Sequence, residues 1–254
     1  MMRVGFIGTG HIAAPMARTI ARAGHKVTVS RRNEAVSAGL ADAGVGIEVA
    51  DNQGVLDTSD VVFLCLRPGV WEGIAAGLVW RADHRIVSPM SGVSLSSIRN
   101  VCQPVTHVSS TIPLGFLEQG GCPLPVLGPA EPLQSLLGAT NPLIPVADEA
   151  QMADYFAASA LLSALLGIGE AGAEWLGART GHADAGEQYV ANLFAGFLAA
   201  LPRKTAGEMK AHKWDLATPN TLNLQMVEGL TEAGAYQAIG PLLTKISTSM
   251  EPKP

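Results

Sequence analysis

Six residues near the start of the chain, Gly8-Thr9-Gly10-His11-Ile12-Ala13, carry the G-x-G-x-x-A spacing of a turn that holds a pyrophosphate. They follow a strand-like run, Val4 to Gly8, and open a helical pattern from Ile12 to Ala23, which is the context such a turn requires. Gly8 permits the tight bend, Gly10 lets the backbone approach the phosphates, and Ala13 allows close packing of helix on strand. Thr9, His11 and Ile12 lie where the helix start offers N–H groups and partial positive charge. About 20 residues further on, a carboxylate would suit the ribose 2′-hydroxyl of NAD. This chain has Ser30-Arg31-Arg32-Asn33 there instead. Two guanidinium forks and no carboxylate suit a 2′-phosphate, so NADP(H) is the expected cofactor.

These residues need a scaffold, and the first part of the chain supplies one. Lys26 to Ser30, Ile47 to Val49, Val61 to Leu66 and Arg85 to Ser88 read as strands. Ile12 to Ala23, Glu34 to Ala43 and Val70 to Leu78 read as helices between them. Alternation at these lengths means βαβ units on a parallel sheet buried on both faces. The predicted fold class is α/β, with a Rossmann-type dinucleotide-binding domain over residues 1–147. Val105 to Ser109, Pro123 to Leu127 and Leu143 to Val146 would extend its sheet.

From Asp148 the strand signals stop. Asp148 to Ala178, Ala183 to Leu201, Arg203 to Trp214 and Thr221 to Ala233 have helical spacing. Tyr236 to Ser249 reads as a last helix interrupted at Gly240-Pro241. Residues 148–254 are expected to form an all-α domain for substrate binding and dimerisation. Its helices are apolar around too much of their circumference to face water alone.

Composition narrows the partners. Of 254 residues, 48% are hydrophobic and 15% charged, against a usual value of about 25% charged, so a large subunit interface is expected. The net charge of −5 and the lack of any Lys/Arg run of five or more argue against nucleic acid. The uncharged run Tyr155 to Gly169 has 15 residues and is predicted to be a buried helix, since a membrane span needs about 18–20. No secretory signal is read at Met1-Met2-Arg3, and Cys65, Cys102 and Cys122 form no C-x-x-C, so a reducing cytoplasmic setting is expected, with Cys65 in the core. No H-x-x-H, H-E-x-x-H or carboxylate cluster points to a metal.

The opening VGFIGTGHIAAPMARTI is similar to the first strand, turn and helix of the pyrroline-5-carboxylate reductase family. Val61 to Pro68 (VVFLCLRP) resembles that family's fourth strand, which implies that Leu66, Arg67 and Pro68 stand beside the cofactor. Ser88 to Ile98 (SPMSGVSLSSI) resembles its strand–turn–helix under the nicotinamide, which implies that role for Ser91 and Gly92. Domain order and the late segment ATPNTLNLQMVEGLTEAGAY agree, so the resemblance implies NADPH-dependent reduction of a C=N bond in a small cyclic imine by a homodimer or higher assembly.

The departures fall on the substrate side. Ser109-Ser110-Thr111-Ile112-Pro113 stands where the family has Met-Pro-Asn-Thr-Pro, and Ser159-Ala160-Leu161-Leu162-Ser163 replaces its Ser-Gly-Pro-Ala-Tyr. Thr218-Pro219-Asn220-Thr221-Leu222-Asn223 replaces Ser-Pro-Gly-Gly-Thr-Thr, whose hydroxyls and amides bind the substrate carboxylate in that family. Carboxylate recognition is therefore expected to be weakened or reshaped, favouring a less acidic imine.

Hydride transfer to a protonated imine needs orientation more than a dedicated base. Ser110 and Thr111 from the sheet, with Thr221 and Asn223 from the helices, are the candidate residues for orienting substrate or supplying a proton; His107 and His182 are further possible acids. Each of these could equally be structural. β-Hydroxyacid dehydrogenases and their imine-reductase relatives share the N-terminal pattern, but the dehydrogenases use a lysine on the long interdomain helix, and Asp148 to Gly181 contains none. A deazaflavin-dependent NADP reductase would not need so long a helical region. A non-catalytic NADP(H) sensor with a decayed pocket is the alternative from another class.

Overall fold

The structure is a computed structural model that describes residues 1–31, 34–201 and 205–250. The first unit alternates β1 (Arg3–Ile7), α1 (Ala13–Arg22), β2 (Lys26–Ser30), α2 (Glu34–Ala41), β3 (Ile47–Ala50), α3 (Asn52–Asp57), β4 (Val61–Leu64), α4 (Trp71–Ala76), β5 (Arg85–Ser88), α5 (Leu95–Val101) and β6 (His107–Thr111). A 3-10 turn (Gly115–Gln119), β7 (Leu124–Leu127), α6 (Glu131–Leu137), β8 (Leu143–Pro145) and α7 (Glu149–Ser159) follow. The strands form one eight-stranded sheet in the order β3-β2-β1-β4-β5-β6-β7-β8. The pairings from β3 to β6 are parallel, which is the doubly wound arrangement with its switch point between β1 and β4. β7 runs antiparallel to β6, correcting the expectation of a wholly parallel sheet, and β8 then runs parallel to β7. Strand polarity is set by the connections, which residue patterns do not encode.

Each strand sends alternate side chains to opposite faces, and both faces are covered. On one face Val4, Phe6, Phe63 and Val87 pack with Met16 and Ile20 of α1 and Leu133 of α6. Phe6 and Phe63 stack with ring centroids 4.7 Å apart. On the other face Ile7, Val62, Leu64 and Ile86 pack with Val55 of α3, Trp71 of α4 and Ile98 of α5. Burying each such side chain stabilises the fold by roughly 1.5–3 kcal/mol. Side-chain caps set helix starts that apolar periodicity does not mark: Asp51 accepts from the N–H of Gly54 at α3, and Ser94 from that of Ser97 at α5.

The helical unit contains α8 (Leu161–Thr180), α9 (Ala183–Ala200), α10 (Glu208–Leu216), α11 (Leu222–Glu232) and most of α12 (Ala235–Met250). By compactness the chain divides into Met1–Phe156 with the last turn of α12 from Ser247, and Ala157–Ile246. The helix expected from Asp148 to Ala178 is broken at Ala160 into α7 and α8. Conversely, α12 runs through Pro241 without the expected interruption. The run Tyr155 to Gly169, expected to be buried, is mostly exposed in the single chain. Glu149–Thr180, taken across that break, is long and apolar enough to cross a membrane by length and composition.

α8 and α9 pack through a seam of small residues. A Cβ on Gly186 would lie 2.9 Å from the carbonyl oxygen of Ala173, and one on Gly177 would lie 2.9 Å from Cα of Ala183. Val190 and Phe194 of α9 lie against Gly169 of α8 in the same seam, while Leu166, Trp175 and Tyr189 remain more than half exposed.

Candidate functional site: a phosphate-binding turn at the sheet's switch point

The turn after β1 is braced from both sides. Gly8 has φ +93°, and a Cβ there would stand 2.2 Å from the carbonyl oxygen of Cys65, so the fold itself demands glycine. Ser30, fully buried at the end of β2, accepts from the N–H of Gly8 at 2.9 Å, while its carbonyl accepts from the Thr9 hydroxyl at 2.5 Å. Gly10 differs: a Cβ there would meet no protein atom within 4 Å. Among the described residues no contact requires glycine at that position. The open space it leaves is a cradle at the start of α1.

That start is electropositive by construction. Ile12 offers no side-chain cap, no acidic residue stands in the first turn, and the N–H of Ala14 already bonds the Gly10 carbonyl. The remaining N–H groups and the helix dipole point at the cleft. The cleft is open, about 970 Å³ in volume, and lined by Gly8 through Ala13 with Val36, Cys65, Leu66 and Arg67. Its geometry and donors fit a pyrophosphate.

Leu66 and Arg67 thus share one cleft with the glycine turn, and Pro68 follows them, exposed. Arg31 stands exposed at the end of β2, its N–H donating to the Ala50 carbonyl, with no ion pair to any described residue. Arg32 lies outside the described residues. Ser91 is half-buried in the turn after β5, between Met90, whose N–H donates to Ser88 Oγ at 3.2 Å, and Gly92, with φ +70°. Sequence reasoning missed Val36 and Cys65 as cleft residues. Cys65 directly follows β4, and its position at a strand's carboxyl end was the available signal; burial pushes its thiol up, against the ionised form.

The other candidates sit in varied settings. Ser110 is buried and lines a small cavity of about 20 Å³ with Gly92, Leu95, Met152 and Met250. Thr111 is fully buried, and its hydroxyl has no hydrogen-bond partner. His107 begins β6, at the end of the sheet away from the crevice, and His182 precedes α9. Thr221 caps α11: its hydroxyl donates to the Thr218 carbonyl at 2.7 Å and accepts from the N–H of Leu224 at 3.2 Å. The Asn223 amide donates to the Leu216 carbonyl at 3.4 Å, and Leu222 is exposed. The Thr221 hydroxyl and the Asn223 amide are therefore engaged locally. Asn220 holds φ +66°, a left-handed position that asparagine tolerates better than most.

Known proteins share parts of this design. Residues 3–92 match a family described as NADP oxidoreductase, coenzyme F420-dependent. Pyrroline-5-carboxylate reductase 3 of Macaca fascicularis is 32% identical over 120 residues, which span 44% of this chain and 42% of that relative. The pyrroline carboxylate reductase of Plasmodium falciparum, solved with NADP bound, superposes with a TM-score of 0.81 over 98% of this chain and 97% of that one, at 10% identity. An imine reductase from Pseudomonas gives a TM-score of 0.63 over 94% of this chain and 88% of its own, at 15% identity. The chain is thus similar in sequence to pyrroline-5-carboxylate reductases over less than half of its length and of theirs, and it shares the fold of solved members of that group along nearly all its length.

Proposed function

We propose that the chain is an NADPH-dependent oxidoreductase that reduces the C=N bond of a small cyclic imine. The observation that carries this reading is the contrast at the turn: Gly8 is demanded by contacts within the chain, whereas Gly10 faces open space at a helix start. That open space belongs to the cleft lined by Gly8 through Ala13 and by Arg67, at a helix start with no side-chain cap. Exposed Arg31, free of ion pairs among the described residues, is available to a 2′-phosphate. The matched family and the NADP-bound neighbour of the same fold support the same cofactor.

Bound NADPH supplies the hydride that converts the iminium carbon to an amine carbon. The chain's own residues bind and orient. The turn and the start of α1 hold the pyrophosphate, and Arg31 with Arg32 reads the ribose. Arg67 stands at the cleft wall. Ser110 and Thr111 bring hydroxyls to the carboxyl end of β6, where open α/β sheets bind their ligands. Thr221 and Asn223 belong to the helical unit, and with the Thr221 hydroxyl and the Asn223 amide engaged locally the segment has less to offer a carboxylate than two free hydroxyls would. The favoured substrate is a cyclic imine less acidic than pyrroline-5-carboxylate.

The test is an NADPH-oxidation screen over cyclic imines with and without a carboxylate, repeated for the double variant Leu222→Thr, Asn223→Thr. The uncharged imines are expected to lead, and the double variant to gain on pyrroline-5-carboxylate by about 10-fold or more, the value of one charge-assisted hydrogen bond. Efficient reduction of pyrroline-5-carboxylate by the unmodified protein would overturn the substrate assignment. The engaged hydroxyl and amide of the 218–223 segment also suit a second reading, an NADP(H) sensor that binds cofactor and turns over no imine. The same screen separates the two.

The helical unit is proposed to pair with a second copy of itself. Leu166, Ile168, Trp175, Tyr189 and Leu193 of α8 and α9 are each more than half exposed in the single chain, and a like surface would cover them.

A further inference from the structure

The last turn of α12 meets α7 and the turn that leaves β5. Ser247 is buried, and its hydroxyl donates to Asp154 Oδ1 of α7 at 2.6 Å, across 93 residues of chain. Three residues on, the Met250 carbonyl oxygen sits where it would lie 3.5 Å from a Cβ on Gly92. Met250 also closes the small cavity bounded by Met90, Leu95, Ser110 and Phe156. From its other side the turn is held by Glu149, which accepts from the N–H of Leu95 at 2.8 Å. One turn of chain between β5 and α5 is thus gripped from α7 and from the chain's last helix.

Its place in the sheet gives this grip a meaning. In a doubly wound sheet a dinucleotide lies across the carboxyl ends of the strands, one half on each side of the switch point. Arg31 marks the β2 side as the side of the adenosine half, so the reacting half lies over the ends of β4, β5 and β6. The turn Met90-Ser91-Gly92 follows β5 there.

We propose that the last turn of α12 is a positioning strap: anchored by Ser247 on Asp154, it fixes the turn after β5, and so the floor beneath the reacting half of the dinucleotide. This rests on the dinucleotide reading of the cleft given above. Ser247 and Asp154 act through the turn and are positioning residues. The strap leaves the grip on pyrophosphate untouched, because the turn after β1 is braced by Ser30 and Cys65 instead.

The experiment compares the unmodified chain with Ser247→Ala, Ser247→Thr and a chain ending after Ile246. Three readouts are taken: NADPH affinity by fluorescence, the near-ultraviolet circular dichroism of the bound dihydronicotinamide, and hydrogen exchange at the amides of Met90 and Leu95. Ser247→Ala and the shortened chain should keep NADPH affinity within about two-fold. Both should lose most of the induced dichroism, and exchange at Met90 should rise about ten-fold, the expected result of losing one hydrogen bond's worth of local stability. Ser247→Thr, which keeps the hydroxyl, should restore both signals. Unchanged dichroism and unchanged exchange in a folded Ser247→Ala variant would overturn the strap. Equal loss of NADPH affinity, melting temperature and dichroism would overturn it too, since that is the signature of general destabilisation. Failure of the unmodified chain to bind NADPH would sink the reading of the cleft, and the exchange at Met90 would still decide whether the strap holds the turn.

Discussion

The sheet unit and the helical unit are both apolar, but they use their apolar residues in opposite ways. In the sheet unit large side chains such as Phe6, Phe63, Ile7, Met16 and Ile20 are fully removed from water. In Ala157–Ile246 the buried described residues are all small: Ala157, Ala173, Gly177, Gly186 and Ala217. The difference teaches that hydrophobic content does not by itself make a core. A sheet covered by helices on both faces completes its core within one chain. A helical hairpin pressed together at glycines completes only a seam and presents its bulk outward, each exposed Leu or Ile forgoing roughly 1.5–3 kcal/mol until something covers it.

The largest expected effect comes from charging that outward face. Leu166→Asp should abolish self-association outright, shifting the sedimenting species to a monomer or to aggregate at low micromolar concentration. Val79→Asp, at an equally exposed position of the sheet unit, should leave the assembly unchanged. If both variants sediment like the unmodified protein, the helical face is not a subunit interface and the contrast between the units loses its meaning.

A cavity in the sheet comes next. Phe63→Ala removes a ring stacked on Phe6 at the centre of the sheet and should cost about 3–5 kcal/mol in denaturant titration, at every protein concentration. Trp175→Ala, by contrast, should lower stability only as protein concentration falls. Gly186→Ala adds a Cβ 2.9 Å from the backbone of Ala173 and should cost about 1–3 kcal/mol, with hydrogen exchange rising in α8 and α9 and not in the sheet.

The smallest effect is a pH slope belonging to the sheet unit. Burial lowers the His84 imidazole below its ordinary value, and its Nδ1 accepts from the N–H of Arg81; burial, then the chain's N-terminal charge, lowers His25 as well. The unfolded chain therefore takes up these protons first. Stability is complete above pH 6.5 and declines as pH falls below it toward the depressed folded-state values. Asp60, beside Arg3, and Glu118, beside Arg18 and Arg22, are held below the usual carboxylate range, and their stabilisation goes only at still lower pH. Denaturant melts between pH 7.5 and pH 4 should show the decline beginning in the upper step; a flat curve down to pH 5 would remove His84 and His25 from the account.

Much of the fold was legible because a parallel strand buried on both faces has an unmistakable composition. VVFL at β4, KVTVS at β2 and RIVS at β5 lie within the runs read from sequence. Short α3 and α6 were missed, since one or two turns give no periodicity, and the direction of β7 left no trace in residue types. At the candidate site, the glycine turn was readable because Gly8 answers to a local backbone angle. The commitments of Thr221, Asn223 and Ser247 were not, because each depends on which backbone or side chain happens to fold against it.

Ser30 has a consequence for anyone who would redesign this chain. It is the underside of the phosphate turn, and it immediately precedes the arginines expected to distinguish one dinucleotide from another. Grip and discrimination are therefore neighbours on one strand end with different freedoms. A carboxylate introduced at position 30 to favour an unphosphorylated ribose would be charged in a fully buried place, and it would disturb the hydrogen bonds that shape the turn. Changes at Arg31 and beyond stay clear of them. Exchange of cofactor preference is open to this scaffold only from the exposed side, one residue later than the position where a designer would first look.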